Sequence, residues 1–236
     1  LAGLRVLQDG GNAFDAVVAT AATLNVVEPY MSGVGGIGVA LAYVADEGRL
    51  RALDFSGRAP KAALPSVFTD ETKDNGIMAA MVPGNLAGWL TLHETYGSLE
   101  RQRLFQPAID YAEKGAPVTY LASHVIRSSK HLLARFPDSA SIVLGAGGHA
   151  PAPGARLKMP QLAESLRQIA AGGQEVFYRG DLARRIVKGN QELGGLYTEE
   201  DLAEYKAVWQ DPISIRYKGY EVFTTPPNCS AFQVLQ

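Results

Sequence analysis

Apolar positions along the chain fall into two spacings, one helical and one alternating, and each predicts its own elements. Residues 1–8 carry apolar Leu1, Leu4, Val6 and Leu7, and Gly10-Gly11 follows as a helix C-cap pair would. Asn12 then reads as an N-cap, with Asp15 supporting the first turn of a helix over 13–27. That helix is apolar on most faces, which predicts a buried one, and Pro29 stops it. Residues 37–45 are apolar throughout and predict a buried strand. Asp46-Glu47-Gly48 reads as a hairpin turn and 49–55 as the returning strand.

Further on, residues 59–66 read as irregular. Residues 84–96 and 104–114 have the spacing of amphipathic helices, and 117–136 reads as helical after Pro117. The stretch 145–154, with four glycines and two prolines, reads as a loop. Helices follow over 162–171 and 181–192. Thr198 reads as the N-cap of another, with Asp201 completing a capping box. Residues 212–217 and 220–225 alternate, predicting two strands joined at Lys218-Gly219. The resulting class is α+β, with no internal repeat and no linker.

Composition narrows the function. At 236 residues, 47% hydrophobic and 19% charged, the chain is long enough for a sizeable core. Its net charge of -2 and lack of basic runs give nucleic-acid binding no electrostatic support. No apolar run is long enough to span a membrane. The single cysteine, Cys229, excludes an internal disulfide. His93, His124, His131 and His149 have no metal-ligand spacing, so no metal is expected.

Residues 33–38, Gly-Val-Gly-Gly-Ile-Gly, fit G-x-G-x-x-G letter by letter. A dinucleotide site needs a strand before that turn and a helix after it, so that the helix N-terminus meets the pyrophosphate. Here the order is reversed. The expectation is a structural turn whose glycines pack tightly and take positive φ, and no cofactor. Cys229 has no histidine near it in sequence to lower its pKa, and reads as a small residue filling a turn. The acidic pairs Asp46/Glu47 and Glu199/Glu200 sit at a turn and a helix start, and are given no catalytic role.

Several segments, in order, resemble one family. They are residues 11–38, then Leu53-Asp54-Phe55-Ser56-Gly57-Arg58-Ala59-Pro60 and Val82-Pro83-Gly84-Asn85-Leu86-Ala87-Gly88-Trp89. Tyr96-Gly97, Gln106-Pro107-Ala108, Glu113-Lys114-Gly115, the stretch 196–203 and Gly219-Tyr220-Glu221-Val222 follow. Thr225-Pro226-Pro227-Asn228-Cys229-Ser230-Ala231 resembles a Pro-Pro-Pro-x-Ser-Gly turn. By these the chain is identified as resembling the γ-glutamyltranspeptidases, self-cleaving amidases of the N-terminal nucleophile hydrolase class. The resemblance implies an αββα sandwich, of which residues 1–236 would be a single domain, most of a large subunit cut at both ends. It implies acyl transfer from, or hydrolysis of, a carboxylate-bearing amide of γ-glutamyl, glutaryl or oxamate type. The nucleophile would be an N-terminal threonine outside these residues, freed by self-cleavage.

The same resemblance assigns substrate binding to Arg58, with Ser56 nearby, because the loop holding them faces the substrate carboxylate in the relatives. γ-Glutamyl transpeptidases place arginine directly after the aromatic residue, whereas here Ser56 follows Phe55 and the arginine comes two residues later. The Ser-Gly-Arg-Ala-Pro form resembles the amidohydrolase and acylase branch. The implied partners are a small amide substrate and a C-terminal small subunit, and the resemblance allows a dimer of such heterodimers. The alternative is a catalytically inactive homologue that serves as a binding or structural module.

Overall fold

A computed structural model describes residues 1–145 and 147–235. In chain order its principal elements are α1 (Ala2–Gln8), α2 (Ala13–Val27), β1 (Gly38–Val44), β2 (Arg49–Phe55), α3 (Asn85–Tyr96) and α4 (Arg101–Lys114). Then come β3 (Ala116–Pro117), α5 (Tyr120–Ser128), α6 (Lys130–Leu133), α7 (Pro137–Val143), β4 (Arg156–Leu157) and α8 (Pro160–Tyr178). The chain closes with α9 (Asp181–Glu192), α10 (Glu199–Ala203), β5 (Val208–Gln210), β6 (Ile213–Tyr217) and β7 (Tyr220–Thr224). The described residues divide into two compact units, one of 1–34 with 92–182, the other of 35–91 with 183–236.

The first unit is helical. Asn12 caps α2 through its side chain, which accepts from the Phe14 and Asp15 N–H groups, while Asp15 reaches back to the Asn12 N–H. Asn12 is thus the expected N-cap, and with Asp15 it forms a capping box that satisfies donors a helix start leaves bare. Helix α2 packs on α4, and α4 on α8. Val18, Ala22, Val26, Leu104, Phe105, Leu166 and Ile169 are fully buried in this unit. Helix α2 ends at Val27, two residues before Pro29, as expected. Helix α8 is longer than the expected 162–171, and at Gly173 its φ turns to 64°, breaking it in two. Arg101 donates to the carbonyls of Ala170 and Ala171 beside that break, at 2.8 Å each. The 145–154 stretch contains Ala146, which lies outside the described residues; 147–154 carries no helix or strand.

The second unit is built on an antiparallel sheet of order β1-β2-β5. Two sequence expectations fail here. Strand β1 is not buried: Leu41 is 42% and Tyr43 63% exposed, and only Val44 is buried. Among the described residues it is an edge strand with an open face, and an apolar composition alone does not distinguish that from a strand covered on both faces. The first two turns of α3 are not amphipathic, since residues 85–90 are all buried. Gly88 explains how: a Cβ there would collide with the Phe55 ring, so only glycine lets the helix backbone lie against it.

The glycine turn also departs from expectation. None of Gly33, Gly35, Gly36 or Gly38 has positive φ. Gly38 serves close approach instead. The Gly36 carbonyl accepts the N–H groups of Gly84 and Asn85, both at 2.9 Å, where α3 begins. A Cβ on Gly38 would lie 2.6 Å from the Phe55 ring. The turn therefore receives the first donors of a helix through a carbonyl. Strands β6 and β7 form the expected hairpin.

Candidate functional site

The site residues expected from sequence lie in the second unit, on the loop that leaves β2 after Phe55. Asp54, the last residue but one of the strand, organises its start. Its Oδ1 accepts the Ser56 N–H at 2.9 Å, and its Oδ2 accepts from Asn228 Nδ2 at 2.5 Å. The same Nδ2 donates to Ser56 Oγ at 2.9 Å. Because the Ser56 oxygen accepts from the amide, the hydroxyl proton is left to donate elsewhere.

Gly57 follows with φ 78°, a conformation that side-chain-bearing residues rarely adopt. Its N–H donates to the Tyr205 hydroxyl at 3.1 Å. Burial pushes the Tyr205 phenol up from its ordinary value, and the Gly57 N–H partly offsets that. Arg58 is fixed through its backbone, whose carbonyl accepts the Val82 N–H at 2.8 Å. Its guanidinium Nη2 donates to the Asp201 carbonyl at 3.2 Å and lies 3.5 Å from Glu204 Oε2. The Nε and Nη1 groups have no partner among the described residues, and the side chain is 41% exposed.

Helix α10 supplies this anchor. Thr198 and Asp201 form the expected capping box: the Asp201 N–H donates to Thr198 Oγ1, and Asp201 Oδ2 accepts from the Thr198 N–H and hydroxyl. The other carboxylate oxygen, Oδ1, accepts the Lys61 N–H at 2.9 Å. Burial pushes the Asp201 carboxyl up, but the Lys61 N–H and the Thr198 hydroxyl and N–H, with the charge of Lys61, hold it below its ordinary value. Lys61 Nζ lies 2.9 Å from Glu204 Oε2 and 3.0 Å from Glu200 Oε1. The Glu204 contact, then Glu200, raises the lysine, and the same lysine lowers Glu204. Tyr197, pushed up to about 12 by burial and then by the Asp201 charge, donates its hydroxyl to the Met81 carbonyl.

Sequence reasoning named Arg58 and Ser56 but missed most of what holds them. Asn228 and Asp54 stood inside quoted motifs without a role. Tyr205, Lys61 and Glu204 carry no local signal at all, because their partners lie far along the chain. Cys229 Sγ lies 3.3 Å from Thr225 Oγ1 in the same turn as Asn228. Among the described residues there is no group of three or more His, Cys, Asp or Glu arranged to hold a metal, and no helix long and apolar enough to cross a membrane. A half-open cavity of about 230 Å³ in the first unit, lined by Pro29, Tyr30, Ile126, Leu132 and Leu133 among others, is mainly apolar.

The architecture, mixed helix and antiparallel strand, is that of solved γ-glutamyltranspeptidases and their relatives. Over 97% of its length the chain is similar to the γ-glutamyltranspeptidase of Helicobacter pylori, with a TM-score of 0.94 and 32% identity, covering 67% of that chain. It is similar over 96% of its length to the cephalosporin acylase of Bacillus halodurans, with a TM-score of 0.87 and 36% identity, covering 44% of that chain. The glutathione hydrolase-like YwrD proenzyme of Bacillus subtilis is 38% identical over 98% of the chain and 44% of its own length. The family model for gamma-glutamyltranspeptidase matches residues 1–236, and the chain belongs to that family. It spans less than half the length of the curated relatives it matches.

Proposed function

We propose that the chain is part of an autoprocessed amidase that cleaves carboxylate-bearing amides by acyl transfer, with Arg58 receiving the substrate carboxylate. The observation that carries this reading is the state of Arg58: a guanidinium held in place by its backbone and Nη2, with two further N–H groups turned to no partner. Either of these groups, paired with an Nη2 hydrogen, forms an edge that can grip a carboxylate by parallel hydrogen bonds. Ser56, oriented by Asn228, adds a hydroxyl donor two residues earlier on the same loop. The family match supports the chemistry. The relatives' names, a glutathione hydrolase-like proenzyme and a cephalosporin acylase, support γ-glutamyl and related acyl amides as the substrate class.

In this mechanism residues 1–236 act as one domain of the large subunit, and a small subunit supplies the N-terminal threonine. Its hydroxyl attacks the amide carbonyl while its α-amine takes the proton. Backbone N–H groups stabilise the oxyanion, the amine leaves with the proton, and water or a second amine takes the acyl group. The present residues bind and orient the acyl portion. Intact mass and N-terminal sequencing of the full-length gene product test this. Two chains are expected, the smaller starting at threonine, with turnover of a γ-glutamyl or glutaryl amide. A single uncut chain without turnover would overturn the proposal.

A further inference from the structure

Arg58 already has an anion beside it. Glu204 Oε2 lies 3.5 Å from Arg58 Nη2 but 2.9 Å from Lys61 Nζ. The first distance is long for a charge-assisted hydrogen bond, which runs at about 2.7–2.9 Å. Glu204 is therefore held closely by Lys61 and only loosely by Arg58. All three side chains are close to half exposed, at 41% for Arg58, 46% for Glu204 and 51% for Lys61, so each has room to move.

A planar guanidinium offers a carboxylate two forked edges, one pairing Nη1 with Nη2, the other pairing Nε with Nη2. Nη2 belongs to both. One of its contacts is the hydrogen bond to the Asp201 carbonyl, and Glu204 stands against it as well. Each edge uses one of the two Nη2 hydrogens, so a two-bond grip on an incoming carboxylate competes at Nη2 with the Asp201 carbonyl or with Glu204. The local charge points the same way. The cationic groups of Arg58 and Lys61 meet the carboxylates of Glu200 and Glu204, and the Asp201 carboxylate, bonded to the Lys61 N–H, adds a third negative charge nearby.

We infer that Glu204 is the resident counter-ion of the Arg58 site and sets its affinity for substrate carboxylates. It stands at the Nη2 edge when no substrate is bound, and stays with Lys61 when a carboxylate takes that edge. Glu204 is then a specificity-determining residue that weakens binding of anionic acyl groups and leaves neutral ones alone. The inference rests on the reading of Arg58 as the carboxylate receiver.

The test compares Glu204→Gln, Glu204→Ala and Arg58→Ala in the processed, full-length enzyme. Glutaryl-p-nitroanilide is the charged probe and butyryl-p-nitroanilide its neutral counterpart. Removing the Glu204 charge is expected to lower KM for the glutaryl probe roughly threefold or more, with kcat unchanged and the butyryl KM unmoved. Glutarate binding, followed by calorimetry, gives the same comparison without turnover. An unchanged or raised glutaryl KM, or an equal change for both probes, would overturn the role of Glu204. If Arg58→Ala raises the glutaryl KM while the Glu204 variants do not lower it, the Arg58 reading stands and this inference alone falls. If Arg58→Ala changes neither probe, both fall. Thermal melting of each variant separates these outcomes from loss of fold, and Glu204→Asp, which keeps the charge, is expected to stay close to wild type.

Discussion

The Asp15 carboxylate accepts the Ser98 hydroxyl at 2.6 Å, although the two residues are 83 positions apart. Asp15 is fully buried and also accepts from the N–H groups of Asn12, Ser98 and Leu99. One side chain thus completes the cap of α2 and fixes the turn that follows α3. Burial works against the charge, but the Ser98 hydroxyl and the three N–H donors outweigh it and hold the carboxyl below its ordinary value. Asp15→Ala is expected to cost about 3 kcal/mol, since it leaves buried donors unpaired. The same carboxyl links stability to pH. Its folded pKa is depressed, so its contribution is present above the unfolded value of about 4 and lost as pH falls through the folded one. Urea unfolding between about pH 5 and pH 2 should therefore lose more stability in the wild type than in Asp15→Asn.

Arg58→Ala is expected to raise KM for a carboxylate-bearing amide roughly tenfold to a hundredfold, the worth of a charge-assisted hydrogen bond, while self-cleavage proceeds. Arg58→Lys should recover part of the charge but not the fork, and so fall between the two. Steady-state kinetics at several salt concentrations checks this, since the part due to charge shrinks as salt rises.

Gly57→Ala should distort the same loop without touching a charge. Its φ of 78° disfavours any Cβ, and one built there would lie 2.6 Å from Ile37 Cγ2 and 2.9 Å from the Val82 carbonyl oxygen. A loss of about 1–3 kcal/mol is expected by thermal unfolding, together with a raised KM.

Asn228→Asp should be worse than Asn228→Ala. The amide nitrogen lies 2.5 Å from one carboxylate oxygen of Asp54, so the substitution sets two carboxylates face to face. Alanine only removes the two hydrogen bonds, at about 1 kcal/mol each. The order is read from the rate at which a protease cuts the turn around 225–230 and from KM.

How much of this was legible in the sequence depends on the range of the signal. The N-cap at Asn12 and the capping box at Thr198 are patterns within four residues, and both form as read. The β1–β2 and β6–β7 hairpins follow from their turns. The short strand β5 and helix α7 were not anticipated, because three and seven residues give too little periodicity. The second duties of the caps were hidden as well. Asp15 bonds Ser98, and Asp201 bonds Lys61, only after distant segments meet. Arg58 was found through its resemblance to a known loop, whereas Glu204 sits on a helix end that reads as ordinary solvated surface.

The second unit is assembled from two separate stretches of chain, 35–91 and 183–236, with the 92–182 stretch belonging to the first unit. As the polypeptide is synthesised, the Ser56–Arg58 loop and Asp54 emerge early, but its distant partners, the Asp201 carbonyl and the Tyr205 and Asn228 side chains, emerge more than a hundred residues later. Closing so long a span is slow relative to local helix formation. The binding loop is thus among the last features to mature, and Arg58 and Lys61 spend that interval as bare cations on a nascent chain. A ribosome-stalled product ending before Thr198 should carry formed helices and an unset loop, which makes the site itself a report that translation has run past residue 228.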